Sequence, residues 1–160
     1  MTEEEQIQLL TRMRDIFRGE GYSTRLKEQE GIQVLQMRLP PLAEGAESAL
    51  VELCLMDYNE YVSVLQIYST LLAAPAPGLK RLREQLDEWN LSALAGAYGI
   101  YAPLGQLFHK YTVAIPLDGS AQEQGDAAFG GLCLALDELP RHAAEALALA
   151  AGPDIRADGR

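Results

Sequence analysis

Hydrophobic positions follow two different periods along the chain, and the changes of period divide it into helical and extended blocks. Residues 3–19 carry apolar side chains at helical spacing, and Thr2 with Glu5 forms a capping-box pattern at the start of that block. From Tyr22 to Leu72 the period is two, interrupted by turn residues. The first half of the chain therefore predicts one amphipathic helix followed by four strands.

The second half of the chain predicts a shorter set of elements, in the order helix, two strands, helix. A helix is predicted from Leu79, two strands at about 95–101 and 107–117, and a closing helix from Ala121 behind a second capping box. Pro140 either kinks this helix or restarts it, because proline removes a backbone donor and clashes with the preceding turn.

The predicted order is α-ββββ-α-ββ-α. Short links between neighbouring strands require antiparallel pairing, and helices that follow runs of strands are typical of α+β domains. We therefore expect a two-layer α+β domain with an antiparallel sheet of about six strands, one face of which the helices cover. A single domain over 1–153 is predicted, with a flexible C-terminal tail at 154–160.

The chain has 160 residues, 13 Lys+Arg and 23 Asp+Glu, so its formal net charge is −10. This acidity argues against nucleic acid and against an anionic membrane surface as partners, because both bind clustered cations. The N-terminus is acidic where a signal peptide would be basic, and no apolar run is long enough to span a membrane, which predicts a cytoplasmic protein. Cys54 and Cys133 lie among leucines, and we expect both to be reduced core residues.

No arrangement of residues predicts catalysis or a cofactor. His109 and His142 have no neighbours at metal-ligand spacing, so no metal site is expected. Cys133 could face His109, but its apolar neighbours would raise the pKa of the thiol rather than lower it. The pair Gly130-Gly131 is best explained by close approach of the last helix to the sheet.

The strand at 61–72 is apolar or aromatic on both of its faces, with Tyr61, Leu65 and Ile67 on one side and Val62, Val64 and Tyr68 on the other. A strand with one solvated face should be polar on that face. Either helices cover both faces of this strand, or the second face meets a partner chain or a second subunit. The candidate partner or dimer surface, which includes positions of the preceding strand, is Val62, Val64, Tyr68, Leu50 and Met56.

Residues 82–118 contain Leu-Asp-Glu-Trp-Asn at 86–90, a hairpin with Pro103 and Gly105 in its turn, and Ile-Pro-Leu-Asp at 115–118. This pattern resembles the YbjN-type bacterial family of sensory transduction regulators. That family is similar in turn to the type III secretion chaperones, which are small acidic dimers of α+β fold.

The resemblance implies a non-enzymatic homodimer that binds a segment of another polypeptide. Within it, Trp89 is expected to anchor the second helix on the sheet, and Asn90 to cap the end of that helix. The alternative is a small-molecule sensor or an unrecognised enzyme, with a pocket between helices and sheet near His109 and Tyr111.

Overall fold

The computed structural model describes residues 1–73 and 78–151, so the predicted tail and most of the connector before the second helix lie outside the described residues. Ten elements are present in these described residues. They are α1 (Glu3–Gly19), β1 (Ser23–Gln29), β2 (Ile32–Pro41), β3 (Ser48–Asp57), β4 (Val62–Leu72), α2 (Leu79–Ser92), β5 (Ala97–Tyr101), β6 (Gln106–Pro116), α3 (Ala121–Glu138) and α4 (Pro140–Ala150).

The six strands form one open antiparallel sheet in the order β1-β2-β3-β4-β6-β5. The predicted α+β class and order of elements are confirmed. Strand ends differ slightly from the prediction: β2 continues to Pro41 through a register shift, since a proline is tolerated where the ladder is irregular. β5 begins at Ala97 because Gly96 bends the chain at a φ of 80°.

All four helices pack on the same side of the sheet. Helices α1 and α3 lie over the centre and the β1–β2 side, where Leu10, Met13 and Leu132 join Leu53 and Leu65 in one core. Helices α2 and α4 cover the β5 side in a second, smaller core that includes Leu82, Tyr98 and Leu107. The sheet positions in both cores alternate along each strand, so the helices share one face.

Pro140 restarts the last helix. Helix α3 ends at Glu138, Leu139 links the two segments in a helical conformation, and Pro140 is the first residue of α4. Proline is suited to this position because its missing N–H would have no partner in the first turn of a helix. Helix α4 packs against α2 through Ala146 and Ala150, which lie in one core with Leu82.

Gly131 allows α3 to lie close to β6. A Cβ atom at this position would overlap both Cγ atoms of Val113, whereas a Cβ on Gly130 would meet nothing within 4 Å. The prediction of a close approach is therefore right for Gly131 and wrong for Gly130, which lies on the solvent side of the helix.

These neighbouring glycines should respond oppositely to substitution by alanine. Gly131→Ala is expected to lower the free energy of unfolding by about 1 kcal/mol, because overpacking outweighs the gain in helix propensity. Gly130→Ala is expected to raise it by about 0.5–1 kcal/mol. Urea titrations followed by circular dichroism measure both, and equal effects of the two variants would contradict the placement of α3.

Candidate interaction surface

The face of the sheet opposite the helices carries no helix of the described residues. We call this surface the open face; it consists of the alternate residues of β4 from Val62 to Thr70 and the residues paired with them across the sheet. All five residues of the candidate partner surface (Val62, Val64, Tyr68, Leu50 and Met56) lie on it, and each is half-buried. In the described part of the chain, helices therefore cover only one face of β4.

One end of the open face is apolar and uncharged. Met56, Val64 and Ala114 form a row across β3, β4 and β6, and Val62 is paired with Pro116 beside them. We call these five residues the apolar end. The β3–β4 hairpin next to it exposes two aromatic side chains, since Tyr58 and Tyr61 are 74% and 70% accessible to solvent.

The other end of the open face carries charges and hydrogen-bonding groups. This part, which we call the charged end, consists of two rows of residues that pair across β1, β2, β3, β4 and β6. The first row is Arg25, Gln36, Glu52, Tyr68 and Lys110, and the second contains Arg38, Leu50, Thr70 and Phe108.

The strand residues of the open face have the opposite charge to the molecule as a whole. They include Arg25, Lys27, Arg38 and Lys110 but a single carboxylate, Glu52. Their net charge is +3 in a chain of formal net charge −10. The acidic residues that give the chain its negative net charge therefore lie mostly outside the strand residues of the open face.

Glu52 is engaged within the sheet. Its Oε1 accepts a hydrogen bond of 2.6 Å from Gln36 Nε2 and lies 3.4 Å from the Lys27 ammonium group. Beside it the Tyr68 hydroxyl donates to Gln106 Oε1 at 3.2 Å, and its ring stacks on Phe108 with centroids 4.7 Å apart. Partial burial, with a smaller contribution from Glu52, raises the pKa of Tyr68, so this hydroxyl remains a donor at neutral pH.

Grooves follow the open face. One of about 260 Å³ is lined by Arg25, Gln36, Arg38 and Leu50, and a larger one of about 650 Å³ shares Arg38 and Leu50 with it. A third, of about 210 Å³, adjoins the larger groove at Glu52 and Tyr68. The charged end is therefore indented, and side chains from another molecule could enter it.

Trp89 occupies the anchoring position that the resemblance implies. It is 1% exposed and extends from α2 into the space between β5 and α4. The centroid of its ring system lies 5.0 Å from that of His142 and 5.7 Å from that of Tyr98. Its indole N–H donates to Glu145 Oε2 at 2.9 Å. The side chain thus joins the second helix both to the sheet and to the last helix.

The expected helix-capping role of Asn90 is wrong. Helix α2 continues to Ser92 and its C-cap is Ala93, so Asn90 lies inside the last turn. Its amide instead pairs with the backbone of edge strand β5: Nδ2 donates to Tyr98 O at 3.0 Å, and Tyr98 N donates to Oδ1 at 2.7 Å. The side chain satisfies two groups of a sheet edge that would otherwise be open.

His109 is fully buried under the helices. Its Nε2 donates to Ala95 O at 2.6 Å, its Nδ1 has no partner among the described residues, and burial lowers its pKa. The nearby Glu138 carboxylate is 1% exposed, with one oxygen accepting from Leu94 N and 3.4 Å from Arg141 Nε. The cavities described above do not include His109 or Tyr111, so they give no support to a pocket there.

The cysteines do not lie in the core, contrary to expectation. Cys54 is half-buried on the open face because strand alternation turns it away from Leu53 and Leu55, and Cys133 is exposed on α3. Partial burial raises the pKa of both thiols. In residues 1–73 and 78–151 no three His, Cys, Asp or Glu side chains form a group that could hold a metal ion. In the same ranges no helix has the length and apolar character needed to cross a membrane.

The sequence matches no protein-family model, and no curated protein matches it. The resemblance of residues 82–118 to the YbjN-type family therefore stays a prediction.

Proposed function

We propose that the protein is a non-enzymatic polypeptide-binding domain that acts as a homodimer, with the apolar end of the open face as the surface between the two copies. The observation that carries the proposal is a six-stranded sheet with an uncharged, apolar patch on its helix-free side. Large exposed apolar patches on soluble proteins are typical of interaction sites.

The distribution of charge indicates which part of the open face meets a second copy. A two-fold symmetric interface brings the same surface patch of each subunit together, so a patch with a net charge meets the same net charge on the other copy. The apolar end avoids this repulsion, whereas the charged end would bring cations of both copies together. Tyr58 and Tyr61 beside the apolar end add exposed aromatic surface, which is enriched at interface centres.

The polypeptide-binding role agrees with what the YbjN-type and secretion-chaperone resemblance implies. We also propose a cytoplasmic location. Neither statement depends on a secretion system.

Sedimentation at micromolar concentration tests the dimer. The unmodified chain is expected to sediment as a dimer, and Val64→Asp as a folded monomer, because the substitution places two carboxylates at the symmetric contact. Leu134→Asp is the matched control: this leucine is 53% exposed on α3, on the helix side, so the dimer should persist. A monomeric unmodified chain, or a dimer that survives Val64→Asp, would overturn the proposed interface.

A further inference from the structure

The cations of the charged end have few partners inside the protein. Among the described residues, no carboxylate lies within ion-pair distance of Arg25, Arg38 or Lys110. Arg25 donates to Gln36 Oε1 and Arg38 to Ser48 Oγ, both at 3.4 Å, which is long for a hydrogen bond. In a chain with 23 acidic residues, these guanidinium groups are left available to a ligand.

The grooves place these cations beside apolar and aromatic surface. Arg38 lines both the 260 Å³ and the 650 Å³ grooves, and Leu50 lies in each of them with it. Tyr68 and Gln106 continue the larger groove, which Glu47 and Glu52 also line. The 260 Å³ groove has Arg25 and Arg38 and no carboxylate in its lining, so the anionic groups of a ligand belong there. A ligand seated there would need anionic groups for the arginines and short apolar groups for the grooves.

We propose that the charged end binds an acidic segment of another polypeptide, in which carboxylates and small apolar side chains alternate at every second residue. In an extended chain every second side chain points to the same side, so carboxylates and apolar groups spaced in this way meet the open face together, and arginine forms paired hydrogen bonds to a carboxylate. This inference rests on the proposed polypeptide-binding function and specifies its partner. The dimer contact at the apolar end leaves the charged end free for the segment.

Charge favours a polypeptide over a nucleic acid. A nucleic acid carries one phosphate per nucleotide, and all of them would face a molecule of formal net charge −10 with Glu52 at the centre of the face. A short acidic segment can keep its few carboxylates within about one Debye length, about 8 Å at physiological salt, of the cations, whereas the evenly spaced phosphates of a nucleic acid continue past them along the acidic molecule.

Fluorescence anisotropy with three labelled peptides tests the proposal on the full-length protein. In each peptide valine alternates with glutamate, glutamine or lysine at every second position, and serine fills the positions between. The glutamate peptide is expected to bind tightest, and its affinity should fall as salt is raised. In Arg25→Gln/Arg38→Gln its affinity should fall about tenfold, as expected for the loss of two partly exposed ion pairs, while that of the glutamine peptide should not change.

Lys80→Gln/Arg83→Gln is the matched control. It removes the same amount of charge from α2, on the helix side, where Lys80 forms an exposed pair with Glu84. This variant should bind the glutamate peptide as the unmodified protein does. An equal loss in both double variants would mean that only net charge matters, and the proposed site would be wrong.

The outcomes separate this inference from the proposed function. If the glutamine peptide binds as tightly as the glutamate peptide, or if neither binds to a protein that is dimeric, the acidic partner is wrong and the dimer stands. If a single-stranded oligothymidine binds more tightly than the glutamate peptide and Arg25→Gln/Arg38→Gln weakens it, the partner is a nucleic acid. A monomer that binds the glutamate peptide through these arginines would overturn the dimer alone.

Discussion

Replacement of Leu65 by aspartate is expected to leave the chain unfolded in buffer without denaturant. Leu65 is completely buried on the helix side of β4, in the core that contains Leu53 and Ile67. Burying an unpaired carboxylate there costs several kcal/mol, in addition to the lost apolar contacts. That sum is comparable with the roughly 5–15 kcal/mol by which a domain is stable.

The same substitution at the next residue provides the control. Val64 lies on the open face, half-buried, so Val64→Asp adds the same charge to the same strand while its carboxylate can reach water. Far-ultraviolet circular dichroism and urea titration should show a folded Val64→Asp chain and an unfolded Leu65→Asp chain. A Leu65→Asp variant that unfolds at the same urea concentration as the unmodified protein would contradict the assignment of the two sheet faces.

Trp89→Ala is expected to lower the free energy of unfolding by about 3–5 kcal/mol, the usual range for removing a buried aromatic side chain. The substitution would open a cavity between α2, β5 and α4. It would also remove the stacking on His142, the edge contact with Tyr98 and the hydrogen bond to Glu145. The smaller core on the β5 side contains few other large side chains, so little could move in to fill the space.

Trp89→Phe is the matched variant, because it keeps an aromatic ring but lacks the N–H donor and the second ring. Its loss should be clearly smaller, at about 1–2 kcal/mol. Since Trp89 is the single tryptophan of the chain, unfolding has to be followed by circular dichroism rather than by tryptophan fluorescence. Equal stability of Trp89→Ala and the unmodified protein would show that the second helix is held in place by other contacts.

Local patterns were enough to predict the elements. The capping box at Thr2 and Glu5 is present as expected, with both of its hydrogen bonds, because a cap involves residues only three positions apart. Strand alternation likewise placed Leu65 and Val64 on opposite faces, since the side-chain period of a strand is two. Features of this kind depend on neighbours in the sequence.

Predictions about individual side chains failed where distant elements decided the outcome. Asn90 has the residue type of a helix cap, but its partner is Tyr98 on an edge strand that only the folded chain brings within reach. Cys133 has leucine neighbours, but the rotation of α3 on the sheet turns Leu132 inward and leaves Cys133 exposed. Apolar neighbours in sequence do not imply apolar neighbours in space on a helix.

The sequence by itself determined the α+β class, the order of the elements and the two-sided apolar character of β4, because each follows from short-range periodicity. Only the tertiary structure decided that all helices cover the Leu65 side and leave the Val64 side open. Only strand pairing assembled Arg25, Arg38 and Lys110 on that open face, since they come from β1, β2 and β6. Short links predict the pairing of β1 to β4 in sequence order. The face that packs on the helices and the pairing of β4 with β6 are set by contacts between residues far apart in sequence.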